Sequence, residues 1–139
     1  EREYGEIEMH SFSVDAVKEA GEIILSKMGF SKNDRVKPEI LSEQIITNVD
    51  PYQAQLINRS RHGSLLVPSE SLFIMEIEPA GYVSIAVNEA EKNADIKLIN
   101  FDVVGKSGRL YISGTTSEVK AGRSAALTAI KSIEGARGD

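Results

Sequence analysis

Residues 71–133 read SLFIMEIEPAGYVSIAVNEAEKNADIKLINFDVVGKSGRLYISGTTSEVKAGRSAALTAIKSI. Short apolar or alternating runs in this stretch predict strands, and apolar residues three and four apart predict helices. The predicted order is a strand (72–78), a helix from Pro79, a strand (96–104), a tight turn, a strand (109–113) and a second helix from Thr115. This order lacks one strand of a complete ferredoxin-like unit, so the architecture depends on where the missing strand lies.

Two segments outside this stretch are candidates for the missing strand. Residues Glu6 to Phe12 alternate between apolar and polar, which is typical of a half-buried strand. A helix is predicted to follow them, capped by Ser13 and ended by Gly29. Its apolar face is predicted to contain Val14, Val17, Gly21, Ile24 and Met28. The rival is Ser64–Val67, which would form a hairpin with the strand at 72–78.

Residues 30–63 have no clear period. Pro38 interrupts a polar segment and indicates a loop, and residues 39–49 fit either a helical turn followed by a strand or a pair of strands. Asp50 followed by Pro51 predicts the start of a helix, because aspartate caps helices and proline is tolerated at the first helical position. We expect this segment to be an insertion, and its sequence leaves the structure open.

Composition bounds the class of protein. The chain has 139 residues, 41% of them apolar and 27% charged, with a net charge of −5, which is typical of one globular domain. An acidic domain has no electrostatic reason to bind nucleic acid or an anionic membrane, and no apolar run is long enough to cross a bilayer. The absence of cysteine excludes disulfides, thiolate metal sites and cysteine nucleophiles, and it fits a cytoplasmic protein.

The turn Gly105-Lys106-Ser107-Gly108 is similar to part of a phosphate-binding loop. The complete motif requires a glycine five residues before the Gly-Lys pair, so that backbone N–H groups can wrap the phosphates. Asn100 occupies that position, and a strand follows the turn where the motif requires a helix. The sequence therefore favours a glycine-flanked hairpin turn.

The other candidate residues do not form a catalytic or metal-binding constellation. His10 and His62 are the only histidines, and neither has the spacing of a metal ligand. The basic cluster 58–62 favours a solvated loop or a subunit contact on this acidic domain. Glu76 and Glu78 share a strand face, which fits a solvated surface as well as an acid/base pair. We predict no enzymatic activity, no metal and no cofactor.

The central stretch resembles the shell-protein domain of bacterial microcompartments. In that family a strand ending in Ile-Glu precedes an alanine-rich helix, a Lys-x-Ala junction, a strand pair with a glycine-rich turn and a second alanine-rich helix. Here Ile77-Glu78 ends the strand, Lys92–Ile96 fits the junction, Gly105–Gly108 fits the turn and Gly114–Val119 fits the helix start. The match covers about half of the chain.

The resemblance implies an α+β, ferredoxin-like fold with an antiparallel or mixed four-stranded sheet. Because no strand follows the last helix, the chain is similar to circularly permuted members, whose last strand lies at the front. We therefore expect a single domain over 1–139, in which residues 6–29 supply the permuted strand and helix, 30–63 are an insertion and 64–135 form the core.

The resemblance also implies a function and a set of sites. Such domains form cyclic hexamers, or trimers when duplicated, and tile with other shell proteins around encapsulated enzymes in the cytoplasm. By this analogy Gly105, Lys106, Ser107 and Gly108 would line a central pore for small metabolites, with Lys106 favouring anions. Lys92 and Asn93 would lie at the oligomer edge. No nucleic acid, membrane or cofactor is expected.

Two alternatives remain open at this point. One is a ferredoxin-like module that binds a small ligand and regulates a partner. The other is a tandem, trimer-forming shell protein, since Ile7-Glu8 and Ala16-Val17 recur seventy residues later as Ile77-Glu78 and Ala86-Val87. Common helix-forming residues produce such matches easily, so the repeat alone does not decide between them.

Overall fold

The computed structural model describes residue 5 and residues 7–136. It contains four strands and four helices, with single turns of 3-10 helix at Lys32–Asp34 and Ala80–Tyr82. In chain order these are α1 (Val14–Met28), β1 (Glu39–Ile46), α2 (Pro51–Asn58), β2 (Ser71–Glu78), α3 (Val83–Asn93), β3 (Lys97–Phe101), β4 (Gly108–Gly114) and α4 (Thr116–Lys131). The strand–helix–strand–turn–strand–helix order predicted for residues 71–133 is confirmed.

The four strands form one sheet in the order β1-β2-β4-β3, and every neighbouring pair is antiparallel. Phe73 at the centre of β2 faces Ile45 of β1 on one side and Ile112 of β4 on the other. This is the sheet of a ferredoxin-like unit whose last strand precedes its first strand along the chain. The predicted fold class is confirmed, and the sheet is antiparallel.

The permuted strand is β1, so the prediction that Glu6–Phe12 forms it is wrong. Residues 7–13 form no strand, and Glu6 lies outside the described residues. Ile7 is 62% exposed, so its burial contributes little energy to hold an extended segment in place. β1 lies instead in the segment that was predicted to be an insertion, where Ile40 and Ile45 pack against the core.

The rival segment Ser64–Val67 is not a strand either, and it does not pair with β2. Its backbone runs beside the other edge of the sheet, where the Gly63 and Ser64 N–H groups donate to the carbonyls of Ile99 (3.0 Å) and Leu98 (2.8 Å) in β3. A side chain at position 63 would place its Cβ 2.3 Å from the Leu98 oxygen. The absence of a side chain at Gly63 therefore allows this close approach.

The start of β1 lies beside the end of α4. The Lys37 N–H donates to the Ala136 carbonyl (2.7 Å), and the Ala136 N–H donates to the Arg35 carbonyl (2.9 Å), which makes a short parallel bridge. The Tyr82 hydroxyl also donates to the Val36 carbonyl (2.6 Å). We refer to residues 35–37 and 134–136 together as the parallel pair. The parallel pair therefore places the start of β1 next to the end of α4, where the last strand of an unpermuted ferredoxin-like unit would begin.

Both faces of the sheet bury apolar side chains. Alternate residues of a strand point to opposite faces, so Phe73 packs under α3 and α4 whereas Leu72 packs against α2 and Leu66. The helix layer contributes Val83, Ala86, Val87, Ala90, Val119, Ala126 and Ile130, all buried. Ala94 ends α3 and is half-buried.

Helix α1 has the predicted ends but not the predicted packing. The Ser13 hydroxyl accepts from the Ala16 N–H (3.2 Å), and Gly29 takes the left-handed conformation (φ 79°) that ends many helices. None of its fifteen residues is buried, and Val14 and Met28 of its apolar face are 68% and 59% exposed. An amphipathic helix in this state has an uncovered apolar face.

A bidentate ion pair joins the permuted strand to the helix layer. The Arg123 guanidinium of α4 donates to both carboxylate oxygens of Glu43 in β1, with 2.6 Å between Nε and Oε2. This hydrogen bonding to Arg123 lowers the pKa of Glu43, and burial opposes the shift. The side chains of Arg123 and Glu43 are 37% and 28% exposed, so solvent screens part of the interaction.

We expect the stabilisation by this pair to depend on pH. A depressed folded-state pKa stabilises the protein above the unfolded pKa of glutamate, about 4.3, and the effect is lost as the pH falls through the folded-state value. Arg123→Met should therefore lower the free energy of unfolding by about 0.5–1 kcal/mol at pH 7. Urea unfolding of both proteins at pH 7 and pH 3 measures this difference. If the substitution lowered the free energy of unfolding equally at both pH values, its effect would come from lost packing and not from lost charge.

Candidate functional site

The residues predicted to be functional at the β3–β4 turn lie together. The turn comprises residues 102–107, and the Asp102 N–H donates to the Arg109 carbonyl (2.8 Å) at its base. The Asp102 carboxylate accepts from the Val104 N–H (3.1 Å). Gly105 has a φ of 122°, a conformation that side-chain-bearing residues rarely adopt. These contacts give the turn one defined backbone conformation, with Val104 and Lys106 exposed at its tip.

Gly108 ends the turn in a space that admits no side chain. A Cβ at this position would lie 2.2 Å from the Asp102 carbonyl oxygen, 2.9 Å from a Val83 methyl and 3.0 Å from the Ala80 carbonyl oxygen. The turn therefore packs directly against the start of the helix layer. The glycine is a packing requirement, which the sequence motif alone did not reveal.

Two glutamates of β2 hold the polar side chains of the turn and of the first residues of β4. The Ser107 hydroxyl donates to Glu76 (2.7 Å to Oε1), and the Arg109 Nε lies 3.4 Å from Glu76 Oε2. The Lys106 Nζ lies 3.7 Å from Glu78 Oε1. The hydrogen bond from Ser107 is the main cause that lowers the pKa of Glu76, with a further contribution from Arg109.

These contacts explain why Glu76 and Glu78 share one face of β2. The antiparallel register places Glu76 opposite Arg109 and Ile77 opposite Gly108, so the end of β2 lies beside the turn. The sequence pattern places both glutamates on one strand face but does not connect them to the turn. Counting the register backwards from the Ser107–Gly108 junction would have placed them there.

Lys92 and Asn93, predicted at an oligomer edge, lie at the end of α3. The Lys92 Nζ is 3.4 Å from Glu89 Oε1, and the Asn93 side-chain amide donates to the Glu89 carbonyl (2.8 Å). Glu89 and Asn93 form one wall of a groove between α3 and α4, and α4 contributes small residues to the rest of it: Ala121, Ser124, Ala125, Thr128, Ala129 and Ser132. Lys92 and Asn93 precede β3 and the turn follows it, so the predicted edge residues and the predicted pore residues lie at opposite ends of β3.

The basic cluster 58–62 lies on the sheet face opposite the helix layer. The Asn58 side-chain amide donates to the Leu66 carbonyl, and the Asn58 side-chain oxygen accepts from the Leu66 N–H (2.9 Å each). These two bonds hold together the ends of the loop formed by residues 59–65. His62 Nδ1 lies 2.9 Å from the Asn100 side-chain oxygen. The Arg61 Nε is buried without a hydrogen-bond partner in the described part of the chain. The other histidine, His10, is exposed ahead of α1.

Among residue 5 and residues 7–136, no group of histidine, aspartate and glutamate side chains is arranged to hold a metal ion. None of the helices in the same residues has the length and apolar character required to cross a membrane.

Comparison with known proteins identifies similar shell proteins. No protein-family model matches the chain. The carboxysome shell protein CcmP of Synechococcus elongatus is 44% identical over 97% of this chain and 63% of its own length. The carboxysome shell protein CsoS1D of Hydrogenovibrio crunogenus is 40% identical over 96% of this chain and 65% of its own length. The chain thus spans less than two thirds of these relatives.

Solved structures agree with these matches. The double-ringed trimeric shell protein MSM0271 from the RMM microcompartment has a TM-score of 0.90 and 38% identity, over 93% of this chain and 64% of that one. The fused permuted hexameric shell protein MSM0275 from the same microcompartment has a TM-score of 0.83 and 43% identity, over 85% and 60%. The CutR flat hexamer, at 16% identity, shares the fold over 81% of this chain and 95% of its own (TM-score 0.58).

Proposed function

The chain belongs to the family of bacterial microcompartment shell proteins, and we propose that it acts as a structural, non-enzymatic subunit of such a shell. The observation that carries the proposal is the permuted sheet, β1-β2-β4-β3, in a chain that is 44% identical to a carboxysome shell protein. In this role the subunits form cyclic oligomers that tile with other shell proteins around enzymes. The protein then functions by assembly and by controlling the passage of small molecules.

We place the pore of the oligomer at the β3–β4 turn. A cyclic assembly brings one copy of the turn from each subunit close to the axis. Gly105, Lys106, Ser107 and Gly108 then surround the opening. The turn is suited to this position because it projects beyond the sheet, with Lys106 60% exposed, and because its contacts with β2 fix its conformation.

We place the contact between neighbouring oligomers at the end of α3, around Lys92 and Asn93. Lys92 is 62% exposed and its partner Glu89 is on the same helix, so the ammonium group remains accessible to a neighbour. The adjacent groove lined by small residues of α4 would let a backbone or a helix approach closely. Its location at the other end of β3 from the turn fits a subunit with a pore side and an outer side.

A second candidate is a tandem protein in which this domain follows another of the same kind. Helix α1 favours it, because α1 matches α4 at one constant offset: Ser13, Val17, Lys18 and Leu25 correspond to Thr115, Val119, Lys120 and Leu127. Val119 of α4 is buried against the sheet, whereas no residue of α1 is buried. In such a protein α1 would be the last helix of a preceding unit, and the sheet of that unit would cover the apolar face of α1. The repeat at seventy residues does not fit, since Ile77 lies in β2 and Ile7 in no strand.

The mass of the purified protein in solution tests the proposal. Light scattering should give a particle of three or six chains, and electron microscopy at high concentration should show sheets or tubes. A monomer at micromolar concentration would contradict the shell function. A small oligomer that never forms a lattice and carries a stoichiometric small ligand in native mass spectrometry would instead indicate a ligand-sensing module.

A further inference from the structure

We propose that the loop after α2 binds a small oxyanion, a phosphate or a carboxylate group, through Arg59 and Arg61. This site lies outside the turn and outside the groove between α3 and α4, and it does not depend on where the pore lies. It belongs to the basic cluster 58–62, for which the sequence favours a solvated loop or a subunit contact. Three observations carry the proposal: the local charge, the fixed backbone of the loop and the state of the Arg61 side chain.

The first observation is the charge of the segment that contains the loop. Residues 51–69 include two charged side chains, Arg59 and Arg61, and no aspartate or glutamate. The segment therefore has a charge of +2 in a chain whose net charge is −5, so the other residues together carry −7. Among the described residues, neither arginine forms an ion pair. Two nearby cations without a carboxylate partner produce a local positive potential, which attracts anions.

The dipole of α2 accounts for Arg59 but not for Arg61. Cations are favoured within the last turn of a helix, and Arg59 directly follows the last residue of α2. Arg61 lies two residues further along the chain, where the effect of the dipole has fallen off. The position of Arg61 therefore requires another explanation, and Arg61 is the residue that distinguishes a binding site from a helix cap.

The second observation is that the chain is fixed on both sides of Arg61. Before it, the N–H group and the hydroxyl of Ser60 both donate to the Ile57 carbonyl (3.2 and 3.3 Å). After it, the His62 Nδ1 lies 2.9 Å from the side-chain oxygen of Asn100 in β3. The loop therefore holds its arginines on a preorganised backbone, which reduces the conformational entropy lost when a ligand binds.

The third observation is that the Arg61 side chain is anchored but not satisfied. Its Nε atom is buried without a hydrogen-bond partner, and it is the one buried side-chain nitrogen or oxygen in this state among the described residues. The residue as a whole is half-buried, so packing holds the base of the guanidinium group in place. An unpaired buried donor is costly, and folded proteins keep few of them. Because the N–H groups of a guanidinium match the paired oxygens of a carboxylate or phosphate, an oxyanion is the ligand that suits this side chain.

Binding of inorganic phosphate, followed through the two histidines of the chain, tests the proposal. His62 is adjacent to Arg61, whereas His10 is exposed ahead of α1 and serves as an internal control. In protein with ¹³C-labelled histidine, at constant pH and ionic strength, we expect phosphate to shift the ring resonance of His62 to saturation and to leave that of His10 unchanged. Methyl phosphate and acetate in place of inorganic phosphate show whether a phosphate ester or a carboxylate is held more tightly.

Matched variants assign the binding to Arg61. Arg61→Gln should weaken phosphate binding by about tenfold or more, since this is the factor that one hydrogen bond to a charged group contributes. Lys120→Gln removes the same charge from an exposed position on α4 and should leave the binding unchanged. Arg61→Lys keeps the charge but loses the forked N–H groups, so it should also weaken binding. If Arg61→Lys bound phosphate as tightly as the unsubstituted protein, a diffuse positive charge would explain the effect and the site would be overturned.

The results also separate this site from the shell function. A His62 resonance that does not respond, or that shifts in parallel with that of His10, would overturn the proposal and leave the shell function standing. A change in oligomer mass on Arg61→Gln, without a response to phosphate in the unsubstituted protein, would overturn it in favour of a subunit contact. A saturable response in a protein that proves to be a monomer would support the site and contradict the shell function.

Discussion

Replacing Gly108 by alanine is expected to destabilise the protein by about 3 kcal/mol or more, the upper range for overpacking of a closed site. The new Cβ would lie 2.2 Å from the Asp102 carbonyl oxygen and 3.0 Å from that of Ala80. Both obstacles are backbone atoms, so no rotamer change can relieve the clash. The turn would have to move away from the helix layer, and its hydrogen bond between Asp102 and Arg109 would be lost.

Thermal unfolding measured by circular dichroism tests this expectation, with Gly81→Ala as the control. Gly81 is exposed, and a Cβ there would have no atom within 4 Å. The control should change the free energy of unfolding by less than about 0.5 kcal/mol. If Gly108→Ala were as stable as the control, the turn would not be packed against Ala80 and Val83 as described.

The second large effect is expected at the centre of the sheet. Phe73 is fully buried and lies between Ile45 of the permuted strand and Ile112 of β4. Phe73→Ala removes contacts on both sides and leaves a cavity under α4, at a cost of about 3–5 kcal/mol. In a domain of this size, this lowers the midpoint of thermal unfolding by about 10–20 °C.

Phe101→Ala is the matched control, because it makes the same chemical change on the edge strand β3, where Phe101 is 40% exposed. We expect it to cost about 1–2 kcal/mol, well below the cost at Phe73, because part of the ring stays in water and its removal leaves no closed cavity. Scanning calorimetry of both variants distinguishes the two sites. Equal losses would mean that the edge strand is covered in the protein as it exists in solution, for example by a neighbouring subunit.

The helix and strand order of residues 71–133 could be predicted because its local signals agree with each other. Caps, apolar periods and turn glycines all favour the same elements, and the residues three and four apart on α4 are buried: Val119, Gly122, Ala126 and Ile130. The permuted strand could not be found in this way. The register of β1 shifts between Ile40 and Ser42, and Leu41 is 45% exposed at that irregularity. A shift of one residue destroys the alternation that identifies a strand in a sequence.

The site was only partly accessible to sequence reasoning for a similar reason. The residues of the turn are adjacent in the sequence, so the motif identified them. The glutamates that contact its polar side chains are about thirty residues away, and only the pairing of β2 with β4 brings them close, as for Ser107 and Glu76. Cysteine content, histidine spacing and net charge excluded several chemistries without locating any contact.

The parallel pair has a consequence for how the gene can vary. Residues 35–37 run beside residues 134–136, so the two ends of the folded unit lie next to each other. The same fold could therefore be formed by a chain whose ends lie in a different loop. A peptide joining residues 134–136 to residues 35–37 would give the strand order of an unpermuted ferredoxin-like unit once the chain is opened between α2 and β2. A second unit joined before residue 35 or after residue 136 would be attached at the same place on the surface. Copies of the unit can therefore be joined in one chain without any change in the fold of each unit.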